Sequence, residues 1–236
     1  MVDMCITFIQ HQRARCRLCH APAPPDLPLC ERCLAALPHL ENACPSCALP
    51  MEVGAPPESL CGECQADPPA FERSRVPLRY QAPVSDLISR FKYHRALSDG
   101  QLLAQLLARH VRDTPLDVQL LLPMPLHPGR LKERGYNQAA ELARTLSRAT
   151  GIPWNSTLLK RTRAAPTQRE ANKRERRRNV RKAFVCESKN LPQRVAIIDD
   201  VVTTGSTARA AAAAVKLAGA DRVEIWAVAR TPKPGD

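Results

Sequence analysis

Residues 195–207 read Val-Ala-Ile-Ile-Asp-Asp-Val-Val-Thr-Thr-Gly-Ser-Thr, which places two adjacent carboxylates just ahead of a hydroxyl-rich turn. Carboxylates accept hydrogen bonds from vicinal hydroxyls of a sugar, or hold a magnesium ion through water. The hydroxyls of Thr203, Thr204, Ser206 and Thr207 and the backbone N–H groups around Gly205 suit a phosphate monoester. The Ala-rich run that follows, ending near Gly219, adds the positive end of a helix dipole. Asp199, Asp200 and this turn would then grip a diol and a phosphate together. Side chains alternate across an extended strand, so both acids reach one ligand only if the strand over 195–198 breaks at the acids. A plain strand–turn–helix capped by solvated aspartates is the bland alternative, and it does not require the whole thirteen-residue string.

The second chemistry-bearing pattern is four Cys-x-x-Cys pairs: Cys16 and Cys19, Cys30 and Cys33, Cys44 and Cys47, Cys61 and Cys64. Two residues between thiolates let one tight turn present both sulfurs to a metal, and zinc accepts four of them tetrahedrally. Intervals of ten, ten and thirteen residues make two consecutive four-cysteine zinc sites the simplest arrangement. A crossed pairing, first with third and second with fourth, stays open. No secretory leader is legible near the first pair, so reduced thiolates and a cytoplasmic location are expected over a disulfide scaffold. Residues 17–70 are rich in proline and poor in apolar area, so zinc would supply most of their stability.

These sites need elements to hold them. Apolar spacing predicts a strand over 76–80, helices over 84–93 and 102–112, and a buried strand over 120–122. Prolines at 123, 125 and 128 turn that strand into a loop. A helix over 137–149 is stopped by Gly151 and Pro153, and a last strand covers 223–229. Strands alternating with helices imply an α/β fold, a mostly parallel sheet flanked by helices, over residues 71–236. Residues 1–70 form the small cysteine module. Ligands of such sheets lie beyond the strands' carboxyl ends, where the proline loop and the Asp-Asp turn arrive.

The net charge is +12, and residues 160–182 hold eleven Lys/Arg against two Glu, so this basic loop carries nine of those charges. Its bland reading is a solvated run, and its functional reading is polyanion contact. Pyrophosphate and nucleic acid both fit, with Arg174, Arg176, Arg177, Arg178 and Arg181 as the contacts. Aromatic residues make up only 4% of the chain, which leaves DNA binding to backbone electrostatics instead of base stacking. No stretch is long and apolar enough to span a bilayer.

At residues 195–207 the chain resembles the type I phosphoribosyltransferases. That resemblance implies that Asp199 and Asp200 bind ribose hydroxyls and that Thr203, Thr204, Gly205, Ser206 and Thr207 cradle the 5-phosphate of phosphoribosyl pyrophosphate, with Mg2+ bound to the substrate. Pro123-Met-Pro-Leu-His, Arg134-Gly135-Tyr136-Asn137-Gln138, Phe91-Lys92-Tyr93 and the paired cysteines together resemble the ComF/GntX family over essentially the whole chain. Tyr136 where Phe is usual, and Ala171, are mild departures. The resemblance implies a double zinc ribbon fused to a type I phosphoribosyltransferase fold, acting in DNA uptake or DNA utilisation, with single-stranded DNA and an import helicase or channel as partners. Lys92, Arg134, Gly135, Asn137 and Gln138 are then expected at the pyrophosphate. Two functions fit these residues: a phosphoribosyltransferase whose basic loop closes over the leaving group, or a binding module that uses the same fold without turnover.

Overall fold

The computed structural model describes residues 14–52, 54–56, 58–162, 183–188 and 190–232. Arg174, Arg176, Arg177, Arg178 and Arg181 lie outside the described residues. The chain divides into two compact units, residues 1–37 and 38–236. In the first, a bridge pairs Arg15 with Pro22, helix α1 (Glu31–Ala35) starts at Cys30, and Leu27, Leu29 and Leu37 are buried.

The second unit opens on a like bridge between Ala43 and Pro50 and a like short helix, α2 (Gly62–Ala66). Strands β1 (Arg73–Arg75) and β2 (Leu78–Arg79) follow, separated by Val76 and Pro77. Sequence spacing predicts a single strand here, but Pro77 has no N–H to continue a ladder. Next come α3 (Val84–Tyr93), α4 (Leu97–Arg112), β3 (Leu120–Pro123), α5 (Pro128–Arg134) and α6 (Gln138–Thr150). The chain continues through β4 (Leu159–Arg161), β5 (Phe184–Cys186), β6 (Arg194–Val202), α7 (Ser206–Leu217) and β7 (Arg222–Arg230).

β1, β7, β6 and β3 lie in that order in one sheet, with β2 also on β7, and every pairing is parallel. The expected α/β architecture is therefore the observed one. Val195, Ile197, Val223, Ile225 and Ala227 share a core with the buried alanines of α7. Ala196, Ile198, Trp226 and Val228 between them are equally buried, and by alternation they face the layer where α4 and α6 pack. Burial on both faces is why these strands read as unbroken apolar runs. Small side chains at Ala210, Ala211, Ala212 and Ala214 let α7 lie close on the sheet.

Three local outcomes differ from the sequence expectation. β6 does not break after Ile198 but runs through both acids to Val202, because β7 continues the ladder with Asp199 opposite Ala227, Val201 opposite Ala229 and Val202 opposite Arg230. Pro123 is accommodated inside β3 as its last residue, opposite Ile198. This strand stands at the end of the sheet, where a missing donor costs nothing. The proline stretch also yields a helix: His127 caps α5, its Nδ1 accepting the Gly129 N–H at 3.2 Å. The antiparallel pair β4–β5 was not legible from spacing, since each strand is only three residues long.

Candidate functional site

The acids stand at the carboxyl end of β6, and α3 brings Lys92 to them from its last turn. Lys92 Nζ lies 3.0 Å from Asp200 Oδ2. Asp199 turns its Oδ1 along the strand to accept the Asp200 N–H at 2.9 Å. Burial pushes the Asp199 carboxyl up to about 8, and the Asp200 charge adds to that. The Asp200 amide and Lys92 pull the other way. Two interacting carboxylates beside one ammonium form a pair that holds a proton near neutral pH and would lose it to solvent on binding a cation or a hydroxyl that donates to the carboxylate.

Beyond the acids the chain turns at Gly205, whose φ of +74° is left-handed. No atom stands within 4 Å of the Cβ an alanine would add there, so glycine is needed for the backbone angle and not for space. Thr204 Oγ1 and Ser206 Oγ are 2.8 Å apart, and Thr203, Thr204 and Ser206 are exposed. Among the described residues no protein acceptor meets the N–H groups of Thr204, Gly205 or Thr207. Open amides at the start of the twelve-residue α7 make a cradle for an anion.

Arg161, on β4, is the site residue that sequence reading missed. Burial lowers its pKa, the Arg130 charge adds to the effect, and the Asp199 charge opposes it, so Arg161 stands within the field of Asp199. Its guanidinium lies 5.5 Å from the Phe184 ring centroid. In the sequence Arg161 stands out only as the start of the Arg161-Thr162 to Gln168 stretch that resembles the ComF/GntX family, with no site role; the β4–β5 pairing sets it apart from its basic neighbours.

The other expected residues are distributed around the entrance to α6. Arg134 lies over the Tyr93 ring, 5.1 Å from its centroid, with Nη2 3.4 Å from Tyr93 Oη. Gly135 caps α5 with φ +79°. Tyr136 Oη donates to the Phe91 carbonyl. Asn137 caps α6, its Oδ1 accepting from Ala139 at 2.9 Å and its Nδ2 donating to the Met124 carbonyl at 3.0 Å. That bond ties the proline loop to the helix. Gln138 is buried, and its Nε2 has no hydrogen-bond partner among the described residues. Among the described residues expected at the pyrophosphate, Lys92, Arg134, Gly135, Asn137 and Gln138, Lys92 is the one that touches the acid pair directly; Gly135 and Asn137 shape the turn.

The cysteines gather as two consecutive groups: Cys16, Cys19, Cys30 and Cys33, and then Cys44, Cys47, Cys61 and Cys64. In each, the sulfurs lie within 4.8 Å of one another, and Cys19–Cys30 and Cys47–Cys61 each stand at 3.6 Å. A tetrahedron with zinc–sulfur bonds of about 2.3 Å requires sulfurs roughly 3.8 Å apart, so both groups fit the ion. Burial opposes ionisation of Cys16, but the amides of Cys30, Cys19 and Leu18 donate to its sulfur and bring it down to about 6. Oriented amides of this kind stabilise the thiolate that zinc needs.

A parallel α/β domain with an acid pair and a turn with open amides at one strand end, in a chain with two four-cysteine groups that could hold zinc, is the class of protein these features define. No protein-family model matches the chain. It is 34% identical over 222 residues to DNA utilization protein YhgH of Salmonella typhimurium, covering 92% of this chain and 96% of that protein. It is 37% identical over 178 residues to Competence protein F of Haemophilus influenzae, covering 72% and 78%. Competence protein ComFC of Streptococcus pneumoniae is 26% identical over 208 residues, covering 87% and 89%. The chain belongs to the ComF/GntX family to which these relatives point. Among solved structures, adenine phosphoribosyltransferase from Leishmania tarentolae overlays with a TM-score of 0.40 at 18% identity, over 64% of this chain and 76% of that one.

Proposed function

We propose that the site at the end of β6 binds a phosphorylated pentose, phosphoribosyl pyrophosphate or a nucleotide made from it, and that the protein serves DNA uptake or DNA utilisation in the cytoplasm. The observation that carries this reading is the union of Lys92, Asp199 and Asp200 with a turn whose amides are open. Asp199 and Asp200 accept hydrogen bonds from the two ribose hydroxyls. The amides of Thr204, Gly205 and Thr207, with the neighbouring hydroxyls, take the 5-phosphate at the helix N-terminus. Lys92 and Arg134 face the pyrophosphate, which arrives with Mg2+. Zinc in the two cysteine groups is structural. The names of the relatives support the role in DNA handling.

Transfer chemistry follows if the ligand reacts: the bond from the anomeric carbon to pyrophosphate oxygen breaks, and a nucleophile takes its place through an oxocarbenium-like state. The residues present stabilise charge in such a reaction and do not form covalent intermediates. Single-stranded DNA is the proposed second ligand, held through Arg174, Arg176, Arg177, Arg178 and Arg181; a helicase or channel of the import machinery is the proposed protein partner.

Calorimetric titration of the full chain with phosphoribosyl pyrophosphate and magnesium tests the ligand. Saturable binding is expected, weakened about ten- to a hundredfold in Asp200→Asn, as loss of a charged hydrogen-bond acceptor implies. Absence of binding by the unaltered chain overturns the reading. Pyrophosphate release in the same samples decides turnover. For DNA, replacing the five arginines by glutamine should lower affinity and flatten the salt dependence by several counterions. An unchanged slope removes them from the interface.

A further inference from the structure

Arg230 ends β7 and is only 4% exposed. Its Nη1 donates to the carbonyls of Val202 at 3.1 Å, Thr203, and Thr231 at 2.8 Å, and Nε donates to the Cys47 carbonyl at 3.1 Å. Each of these acceptors is neutral, whereas a buried guanidinium calls for a counter-charge. Cys47, Cys61 and Glu63 are the groups whose negative charge, once they are ionised, would act on it. A second guanidinium approaches another cysteine of the same group: Arg209 Nη1 donates to the Asp67 carbonyl at 2.7 Å and lies 3.7 Å from Asp67 Oδ2, and Nη2 lies 3.9 Å from Cys64 Sγ. Four thiolates around one divalent ion would carry two net negative charges, opposite in sign to both arginines.

The same two arginines hold both ends of the phosphate-type turn. Arg230 binds the carbonyls where β6 ends and the turn begins. Arg209 sits near the start of α7, its own N–H donating to the Gly205 carbonyl at 2.9 Å. The turn is therefore clamped on the peptide of Cys47 at its entry and on the Cys64–Asp67 segment at its exit.

We infer that the Cys44, Cys47, Cys61 and Cys64 metal centre is a positioning element for the 203–207 turn, acting through Arg230 and Arg209, so that metal occupancy and phosphate-ligand affinity are linked. The ligand half of this linkage rests on the function proposed above. Linkage is reciprocal: if the filled metal centre favours the binding-competent turn, the bound ligand must retain the metal by the same factor. Lysine cannot replace Arg230 fully, because one ammonium cannot span carbonyls on two segments.

The test uses the full chain loaded with two zinc ions. Zinc release to a chromogenic chelator is followed with and without phosphoribosyl pyrophosphate and magnesium, beside ligand affinity by calorimetry. In the unaltered chain the ligand should slow release of one zinc equivalent severalfold. Arg230→Gln, still holding two zinc ions, should bind ligand about tenfold more weakly, lose that protection and release one zinc faster. Arg230→Lys should recover part of the affinity. Should Arg230→Gln fail to fold, the half-buried Arg209→Gln and the protection measured in the unaltered chain carry the test. Ligand that binds without slowing either zinc, or a two-zinc Arg230→Gln with undiminished affinity, overturns the linkage while leaving the proposed function standing. If the unaltered chain binds no ligand, the proposed function falls, and zinc-release rates in Arg230→Gln equal to those of the unaltered chain then overturn the tie between Arg230 and the metal.

Discussion

The two cysteine groups are built alike and surrounded differently. In both, the first pair sits on a turn closed by an N–H four residues on, His20 to the Cys16 carbonyl at 2.9 Å and Ala48 to the Cys44 carbonyl at 2.8 Å. Both closing residues are non-glycine with positive φ, 61° and 55°. In both, the second pair opens a five-residue helix. Around the first group Cys19 is exposed, and Cys30 and Cys33 are half-buried. All four cysteines of the second group are buried, in one core with Val195, Ile197, Val223 and Ile225 of the parallel sheet, and they carry the two arginines that hold the turn. The same local motif thus makes a self-contained metal knuckle in one place and part of an α/β core in the other. What a metal centre does for the molecule is set by its neighbours, since its own geometry is repeated almost unchanged.

The comparison breaks most readily at the cysteines. Cys61→Ser should cost the larger unit its metal and a buried core contact, several kcal/mol in all, and abolish its cooperative melting. Cys19→Ser should remove one zinc and leave that melting transition in place. Zinc analysis with thermal melting of both variants checks this; equal losses would erase the distinction. Gly205→Ala should cost about 1–2 kcal/mol, because the left-handed angle is strained for alanine although the space is open. Chemical denaturation reads that cost, and ligand affinity should fall with it.

The last expected effect has the opposite sign, and it separates residues kept for stability from residues kept for a ligand. With Asp199 held at about 8 when folded, against an ordinary 3.8, the folded chain keeps a proton between those values that the unfolded chain has released. Stability should therefore fall as pH rises from about 4 to about 8. Asp199→Asn retains the oxygen that accepts the Asp200 N–H and removes this fall. Its melting temperature should exceed that of the unaltered chain at pH 8, with little difference at pH 4, while ligand affinity drops. Melting curves at the two pH values check it; a variant less stable at pH 8 would show that the Asp199 charge is well accommodated.

Much of this was legible in the chain. The acid pair, the turn and the four cysteine pairs stand as contiguous strings, and α3 coincides with its expected span of 84–93. α4 begins at Leu97, five residues before the apolar spacing does, because its first turn is stabilised by packing: Asp99 and Gly100 are buried, with the Asp99 carboxylate 2.7 Å from Arg90 Nε. β6 outruns its apolar run because β7 offers a ladder that continues past both acids to Val202. Arg230 escaped notice because the last apolar run ends at Ala229, and a lone arginine after it carries no local signal. Its importance comes from the strand pairing that sets it opposite Val202.

From sequence alone came the metal-binding turns, the alternation of strands and helices, and the acids with the phosphate-type turn, because each is closed by interactions a few residues long. Tertiary structure alone decided that Lys92 meets Asp200, that Arg161 enters the field of Asp199, and that Arg209 and Arg230 join the second cysteine group to the turn. Those contacts link residues far apart in the chain, and their charges are balanced only when sheet register and helix packing bring the partners out of water together.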